Sequence, residues 1–340
     1  MIKKRIQEID ALRGFAAIAV VLFHFALGKD EIKYGFNIGS TGVDLFFIIS
    51  GFVIFLSIQQ SKDWNVFLWN RAVRLYPAYW ACVTITTTLI ILKNQSFYFT
   101  KDTFECSNNI LLKYVANLTM FNYYLKFDYI DQPYWTLTIE LCFYLLIASF
   151  LFTKLIKYIE TIGAFLSICC FIFSFHFIAH NIFGYKIIML IPLLKYFPLF
   201  YSGILLYLMK FETLSPKRFC FFLLTMVLQC YIFFNNGSLF FLNFYEYAIS
   251  LICIYSLFIL YLFNKLSFII NNTTVWLGKI SYSLYLIHQY LGVSIILPFL
   301  MNVIGLNFWN AIFLALILLL ALATAIHRYI EKPALLYFKK

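Results

Sequence analysis

Two ionisable side chains, Arg13 and His24, lie in the first long apolar stretch of the sequence. Because they are eleven positions apart, an α-helix would point them about 20° apart in direction and about 16 Å apart along its axis. A guanidinium group binds phosphate, and an imidazole accepts a proton near neutral pH. The pair predicts a phosphate-binding group near the cytoplasm and a proton acceptor deeper in the membrane. An arginine that snorkels to the surface and an interfacial histidine are the alternative.

The second apolar stretch begins with a carboxylate, Asp44, within the run Gly42–Phe52. If the first two helices are antiparallel, Asp44 lies on the same side of the membrane as His24 and could orient the imidazole. It could equally cap the amino terminus of its helix, and both roles are compatible. Gly42, Ser50 and Gly51 predict a close approach between helices.

Two arginines, Arg71 and Arg74, are three residues apart in the polar segment after the second stretch. This spacing places both guanidinium groups on one helix face, where they suit a phosphorylated ligand. Anchoring by the positive-inside rule is the alternative. Farther on, Glu140 follows an interfacial Trp135 by five residues. A carboxylate buried there needs a partner, which we expect to be an arginine or a substrate hydroxyl.

A further histidine, His288, follows a cluster of serine and tyrosine in the ninth apolar stretch. It is either a functional group or a buried histidine that a tyrosine satisfies. His176 and His180 have the i, i+4 spacing of metal ligands. No acid or cysteine accompanies them at a matching spacing, so we expect no metal site.

The elements that position these groups are membrane helices. The 340 residues are 63% hydrophobic and 12% charged, far from the composition of a soluble domain. Stretches long enough to span a bilayer predict an all-α, polytopic integral membrane protein with about ten transmembrane helices. The predicted spans are residues 9–28, 40–58, 76–93, 133–153, 161–180, 187–209, 218–235, 245–263, 280–300 and 309–329. Pro192, Lys195 and Pro198 interrupt the sixth, which could instead be an interfacial helix followed by a shorter span.

The net charge of +11 comes from basic residues grouped between the apolar stretches. This distribution predicts membrane orientation rather than binding to nucleic acid. Most basic residues fall on one side if both termini are cytoplasmic, as the positive-inside rule favours. The polar stretch 94–132 then lies outside and is expected to form a cap with a re-entrant or interfacial helix. We expect residues 1–340 to form a single transmembrane domain with no appended soluble domain.

Together these segments resemble the membrane-bound acyltransferase 3 family from Ile9 to Pro333. The motifs that carry the resemblance are Arg13 with His24, Gly42–Phe52, Arg71 and Arg74 before Leu75-Tyr76-Pro77, Trp135–Glu140, Ser281–His288 and Glu331-Lys332-Pro333. One position departs from the family pattern: Thr136 stands where serine is usual, and the hydroxyl group is retained.

The resemblance implies a membrane O-acyltransferase that moves an acetyl group from acetyl-CoA to a hydroxyl of a glycan or lipid-linked sugar. On this basis Arg13, Arg71 and Arg74 are expected to hold the phosphates of acetyl-CoA. His24, oriented by Asp44, is expected to act as the general base or, less readily, to carry the acyl group itself. Glu140 and His288 are expected to line the acceptor side. The substrate-binding residues expected there are Trp135, Tyr282, Tyr285 and His288.

The expected location is the bacterial inner membrane, in contact with its lipids. The expected absence of the hydrolase-like domain that some relatives carry favours a surface polysaccharide as acceptor, an O-antigen or capsule unit first. A lipid-linked precursor or exopolysaccharide is close behind. A transporter or flippase of a lipid-linked sugar, another acyl donor and a non-glycan acceptor remain alternatives. A purely structural role is disfavoured because Arg13, Glu140 and His288 are costly within a membrane.

Overall fold

The computed structural model describes residues 6–27, 36–59, 61, 63–93, 109–174, 187, 190–235 and 241–338. Within these ranges the chain is helical and contains no strand. The α-helices are α1 (Gln7–Ala26), α2 (Gly42–Ile58), α3 (Trp64–Lys93), α4 (Ile110–Leu118), α5 (Trp135–Phe152), α6 (Ile159–Phe173), α7 (Phe197–Phe211), α8 (Pro216–Asn235), α9 (Phe244–Leu262), α10 (Asn272–Ile287), α11 (Phe308–Ile326) and α12 (Lys332–Phe338). His176 and His180 lie outside the described residues.

Nine helical stretches of the described chain are long and apolar enough to cross a bilayer. The protein is therefore a multi-pass, all-α membrane protein, as predicted. The sixth predicted span is interrupted near its prolines, and its interfacial helix stays a prediction. A single 3₁₀ turn, Pro192–Lys195, precedes the short helix α7 of 15 residues.

The described chain divides into two compact units. The first contains residues up to Phe23, Ile32–Leu68 and Cys142–Gly278, and the second contains His24–Glu31, Trp69–Leu141 and Lys279–Lys340. Helices α1, α3, α5 and α10 each contribute residues to both units. The prediction of a single domain over residues 1–340 stays a prediction.

In the first unit, α7 forms the centre, and every residue from Phe197 to Met209 is buried. Helix α2 packs against it at two glycines. A Cβ atom on Gly51 would lie 2.0 Å from the carbonyl oxygen of Phe200, and one on Gly203 would lie 2.0 Å from that of Ile48. The absence of side chains thus lets the two backbones touch, which confirms the packing role predicted for Gly51.

In the second unit, α4 runs antiparallel to α3 and is held to it by side chains of α3. The Tyr76 hydroxyl donates to the carbonyl of Thr119, and the Trp80 indole N–H donates to that of Leu118. Thr84 lies 3.0 Å from the Tyr114 hydroxyl. Helix α4 therefore lies alongside the long apolar helix α3, and the cap with a re-entrant or interfacial helix stays a prediction.

Candidate active site

Two of the predicted site histidines meet in the second unit. His24 lies in the last turn of α1, and His288 is the first residue of a π-helical segment, His288–Ile296, that continues α10. His24 Nδ1 is 3.0 Å from His288 Nε2, and the rings are tilted by 60°. His288 is fully buried, whereas His24 is half-buried. The two imidazoles thus form one hydrogen-bonded pair.

The surroundings of His288 decide which nitrogens carry hydrogen when both rings are neutral. His288 Nδ1 lies 2.7 Å from the carbonyl oxygen of Tyr285. A carbonyl can only accept, so Nδ1 carries the hydrogen and Nε2 accepts. His24 Nδ1 must then donate to His288, and the lone pair of His24 is on Nε2. His288 therefore fixes the tautomer and the ring orientation of His24, as the third member of a catalytic triad does for its histidine.

Tyr285 links this pair to the beginning of α5. Its ring centroid lies 5.5 Å from that of His288, and its hydroxyl donates to the carbonyl of Pro133 at 3.0 Å. The Thr136 hydroxyl lies 2.9 Å from the Tyr285 hydroxyl. The hydroxyl at position 136, where the family pattern usually has serine, is therefore part of a buried hydrogen-bonded cluster.

A buried ion pair lies in the same unit. The Arg74 guanidinium donates to Glu331, which is 1% exposed and belongs to another π-helical segment, His327–Glu331, after α11. The Ser283 hydroxyl donates to the same carboxylate at 3.0 Å, and His327 Nδ1 lies 3.1 Å from it. Arg74 is thus a cation with a fixed position and a neutralising partner.

Tyr282 and Glu140 adjoin this ion pair. The Arg74 guanidinium carbon lies 5.8 Å from the centroid of the Tyr282 ring, and the Tyr282 hydroxyl donates to the carbonyl of Leu75 at 2.9 Å. Glu140, half-buried in α5, interacts electrostatically with Tyr282. Arg71 in α3 and Trp135 at the start of α5 are also half-buried members of this unit.

Two predicted site residues belong to the first unit. Arg13 is half-buried in α1. Asp44 is buried in α2 and lies near the hydroxyl groups of Tyr247 and Tyr196. Thr41 precedes the first residue of α2, and Asp44 lies in the first turn of that helix. The Asp44 carboxylate can therefore interact with the helix dipole. The predicted orientation of His24 by Asp44 stays a prediction.

The structure therefore brings together His24, His288 and Tyr285, and also Arg74, Tyr282 and Glu140. Glu331, Ser283 and His327, which surround Arg74, were not predicted as site residues from the sequence. The sequence did contain a signal for Glu331. It is a carboxylate at the end of the last apolar stretch, and a carboxylate in a membrane helix needs a partner.

A family model described as an acyltransferase domain, acyltransferase 3, matches residues 6–328. The chain belongs to the acyltransferase 3 family. The family assignment makes the protein an acyltransferase and confirms the resemblance drawn from the motifs. No solved structure matches this acyltransferase.

Its relatives include O-acetyltransferases. O-acetyltransferase OatA of Staphylococcus aureus (strain NCTC 8325 / PS 47) is 31% identical over 153 residues, 41% of this chain and 23% of that protein. A putative O-acetyltransferase of Staphylococcus aureus (strain COL) is 28% identical over 163 residues, 44% of this chain and 25% of that protein. Exopolysaccharide production protein ExoZ of Rhizobium meliloti (strain 1021) is 41% identical over 61 residues, 18% of each chain. The matched part of this acyltransferase thus spans a quarter or less of these curated relatives.

Proposed function

We propose that this acyltransferase moves an acetyl group from acetyl-CoA to a sugar hydroxyl of a surface polysaccharide. The proposal places it in the bacterial inner membrane with both termini in the cytoplasm. The observation that carries it is the His24–His288 pair, because it supplies an oriented proton acceptor of the kind that O-acyl transfer needs. Relatives named O-acetyltransferase and exopolysaccharide production protein support the acetyl group and the glycan acceptor.

In the proposed reaction, His24 Nε2 takes the proton of the acceptor hydroxyl as its oxygen attacks the carbonyl carbon of the acetyl thioester. The new C–O bond forms, the C–S bond breaks, and the electron pair of that bond leaves with the sulfur. His24 then returns the proton to the sulfur, which gives the acetyl ester and free CoA. His288 accepts the hydrogen bond from His24 Nδ1 throughout and keeps the ring in place.

The phosphates of the donor are proposed to bind Arg13, Arg71 and Arg74, because guanidinium groups bind phosphate through paired hydrogen bonds. Glu331 balances the charge of Arg74, so Arg74 would contribute hydrogen bonds rather than net charge. Glu331 and Tyr282 hold Arg74 in one position, which reduces the entropy that is lost when a ligand binds.

The acceptor side is proposed to contain Trp135, Glu140, Tyr282, Tyr285 and His288, with Asp44 as a further support for His24.

The alternative reactions, with another acyl donor or a non-glycan hydroxyl, would use His24 as the same base. Membership of an acyltransferase family favours the enzyme over the transporter. A covalent acyl-His24 intermediate is disfavoured because a neutral acyl-imidazole forms only if His24 Nδ1 gives its hydrogen to His288. That transfer would create a charged imidazolium at a fully buried position.

The test measures both the glycan and the purified enzyme. Mass spectrometry compares the surface glycan of cells with the intact gene, without the gene, and with His24→Ala present at the same membrane level. We expect a base-labile, acetyl-sized mass difference in the first strain only. Unchanged glycan mass in all three strains would overturn the glycan acceptor, whereas acetyl-CoA consumption by the purified protein would still support acetyl transfer.

The role of the His24–His288 pair is tested by replacing His288 with either of two side chains of similar size. His288→Gln keeps an oxygen that can accept from His24, whereas His288→Phe removes the acceptor. Because general-base catalysis contributes roughly 10²–10⁴-fold, we expect His24→Ala and His288→Phe to lower kcat by about that amount. His288→Gln should retain more activity. Equal kcat values for the Gln and Phe variants would contradict the orienting role of His288.

A further inference from the structure

The hydrogen bonding around His288 departs from that of a regular helix at one particular bond. In an α-helix, the N–H of Tyr290 would donate to the carbonyl of Leu286, four residues earlier. Here the Tyr290 N–H donates to the Asp131 carboxylate at 3.1 Å. The Leu286 carbonyl accepts from the Tyr134 hydroxyl at 2.9 Å. Both members of that helical bond thus have side-chain partners from one short segment before α5.

The two supporting side chains are firmly held. Asp131 and Tyr134 are 4% and 1% exposed, respectively. The Tyr134 N–H donates to the Asp131 carbonyl at 3.2 Å, which fixes one residue relative to the other. The Tyr134 ring packs edge-on against Tyr79 of α3, with centroids 5.0 Å apart. This segment therefore presents a hydroxyl donor and a carboxyl acceptor at set positions to the helix that carries His288.

The π-helical turns, which are wider than those of an α-helix, begin at His288 itself. His288 is the first residue of the π-helical segment, and its Nδ1 bonds to the carbonyl of Tyr285, immediately before Leu286. π-Helical turns expose backbone groups that a regular helix keeps for itself and occur frequently at functional sites. Closing the turn would bring the Tyr290 N–H back to the Leu286 carbonyl and shift the backbone of His288, which lies between these two residues. The 3.0 Å contact of His288 Nε2 with His24 would then be lost.

We propose that Asp131 and Tyr134 are positioning residues of the acetyl-transfer reaction, which hold the wide turns open so that His288 orients His24. The catalytic part of this inference rests on the proposed function, whereas the structural part does not. Asp131 acts on the Tyr290 N–H and Tyr134 acts on the Leu286 carbonyl. Neither side chain is assigned a contact with donor or acceptor.

The positioning role needs an acceptor oxygen at residue 131 rather than a negative charge. Asp131→Asn keeps a carbonyl oxygen that can accept from Tyr290. Asp131→Leu has a similar size and removes the acceptor. Tyr134→Phe removes only the donor to Leu286. Tyr79→Phe is the matched control, because the Tyr79 hydroxyl is also buried and donates to a backbone carbonyl, that of Asn117, at 2.8 Å.

The experiment measures kcat and KM for acetyl-CoA of the purified full-length variants. Because small misplacements of a catalytic group can cost up to about a hundredfold in rate, we expect Asp131→Leu and Tyr134→Phe to lower kcat by at least about tenfold. KM should change by less than about twofold. Asp131→Asn and Tyr79→Phe should stay within about threefold of the wild-type kcat.

Hydrogen–deuterium exchange of the peptide around residues 286–294 gives a readout that does not depend on activity. We expect faster exchange in Asp131→Leu and Tyr134→Phe and wild-type exchange in Asp131→Asn and Tyr79→Phe. Wild-type kcat in Asp131→Leu, or an equal loss in Tyr134→Phe and Tyr79→Phe, would overturn the inference. If Asp131→Leu does not accumulate, the comparison of the two Phe variants decides. A wild-type protein that consumes no acetyl-CoA would instead refute the proposed function, and the exchange data would still decide the structural part.

Discussion

At the scale of single residues, the side chain of His24 contacts an imidazole, that of His288. A carboxylate in this position would place a negative charge beside the base, whereas the neutral ring of His288 orients His24 without adding charge. This suits a site that must also accept a donor with several negative phosphates, because an additional buried anion would repel it. Glu331, a charged carboxylate of the second unit, instead forms an ion pair with Arg74.

The Arg74–Glu331 pair gives a prediction for stability. Removing one partner of a buried ion pair leaves an uncompensated charge and costs about 3–5 kcal/mol. We therefore expect Arg74→Met to lower the midpoint of thermal unfolding in detergent. The double variant Arg74→Met/Glu331→Leu should recover most of that loss, because no buried charge remains. A double variant as unstable as Arg74→Met would show that the pair is not what stabilises this region.

A second residue-scale prediction concerns pH. Burial raises the pKa of the Asp131 carboxyl to about 7, although hydrogen bonds from the amides of Tyr290 and Gln132 favour its charged form. In the unfolded chain, the pKa of an aspartate is about 3.9. At pH values between these two pKa values, Asp131 keeps its proton in the folded protein but has lost it in the unfolded chain. The contribution of Asp131 to the free energy of unfolding therefore falls as pH rises.

Asp131→Asn removes this titration. The unfolding midpoint of the variant minus that of the wild type should therefore increase from about pH 4 to about pH 7 and level off above it. A difference that is constant across this window would contradict the raised pKa.

At the scale of helices, the contact between α2 and α7 depends on two glycines. A Cβ atom on Gly203 would meet the backbone oxygen of Ile48 at 2.0 Å, and backbone atoms cannot move aside as a side chain can. The two helices would have to separate along a buried surface.

We expect Gly203→Ala to destabilise the protein by about 3 kcal/mol, the upper end of the usual overpacking cost. Gly292→Ala is the matched control, because its Cβ would meet side-chain carbons of Phe25 and Leu319, which can adjust. The measurement is the thermal unfolding midpoint and the yield of monodisperse protein. Equal losses for both variants would count against the backbone contact.

The helices were largely predictable because a bilayer demands long apolar stretches, and hydropathy detects them. Helix α7 was harder to predict from hydropathy, because it is only 15 residues long and is buried among other helices. The π-helical turns at His288 were not predictable. They depend on Asp131 and Tyr134, which are more than 150 residues away in the sequence and whose side chains replace a helical bond.

At the scale of the whole molecule, the ionisable groups within the apolar stretches pointed to the candidate site. Their cost in a membrane made Arg13, His24, Glu140 and His288 informative. Their pairing could not be predicted, because 264 residues separate the two histidines and hydropathy carries no information about which helices are neighbours. The family motifs supplied the reaction class but not the pairing of His24 with His288.

The orientation of the chain is a prediction at this scale. The positive-inside rule places both termini in the cytoplasm. We expect green fluorescent protein fused after Lys340 to fluoresce, and alkaline phosphatase fused there to be inactive. Alkaline phosphatase inserted within residues 94–108 should be active, since this stretch is expected outside. The reverse pattern would invert the topology and place the arginines Arg71 and Arg74 away from cytoplasmic acetyl-CoA.

The wide turns after His288 also have a consequence for how relatives of this protein are compared. A π-helical turn corresponds to one additional residue in an otherwise regular helix. A natural relative that lacks one residue between positions 288 and 296 would have a regular α-helix there. Its later side chains would keep their neighbours, whereas the backbone around His288 would change. A single-residue gap at this place in an alignment would therefore mark a change in how the second histidine is presented, even where the histidine itself is retained.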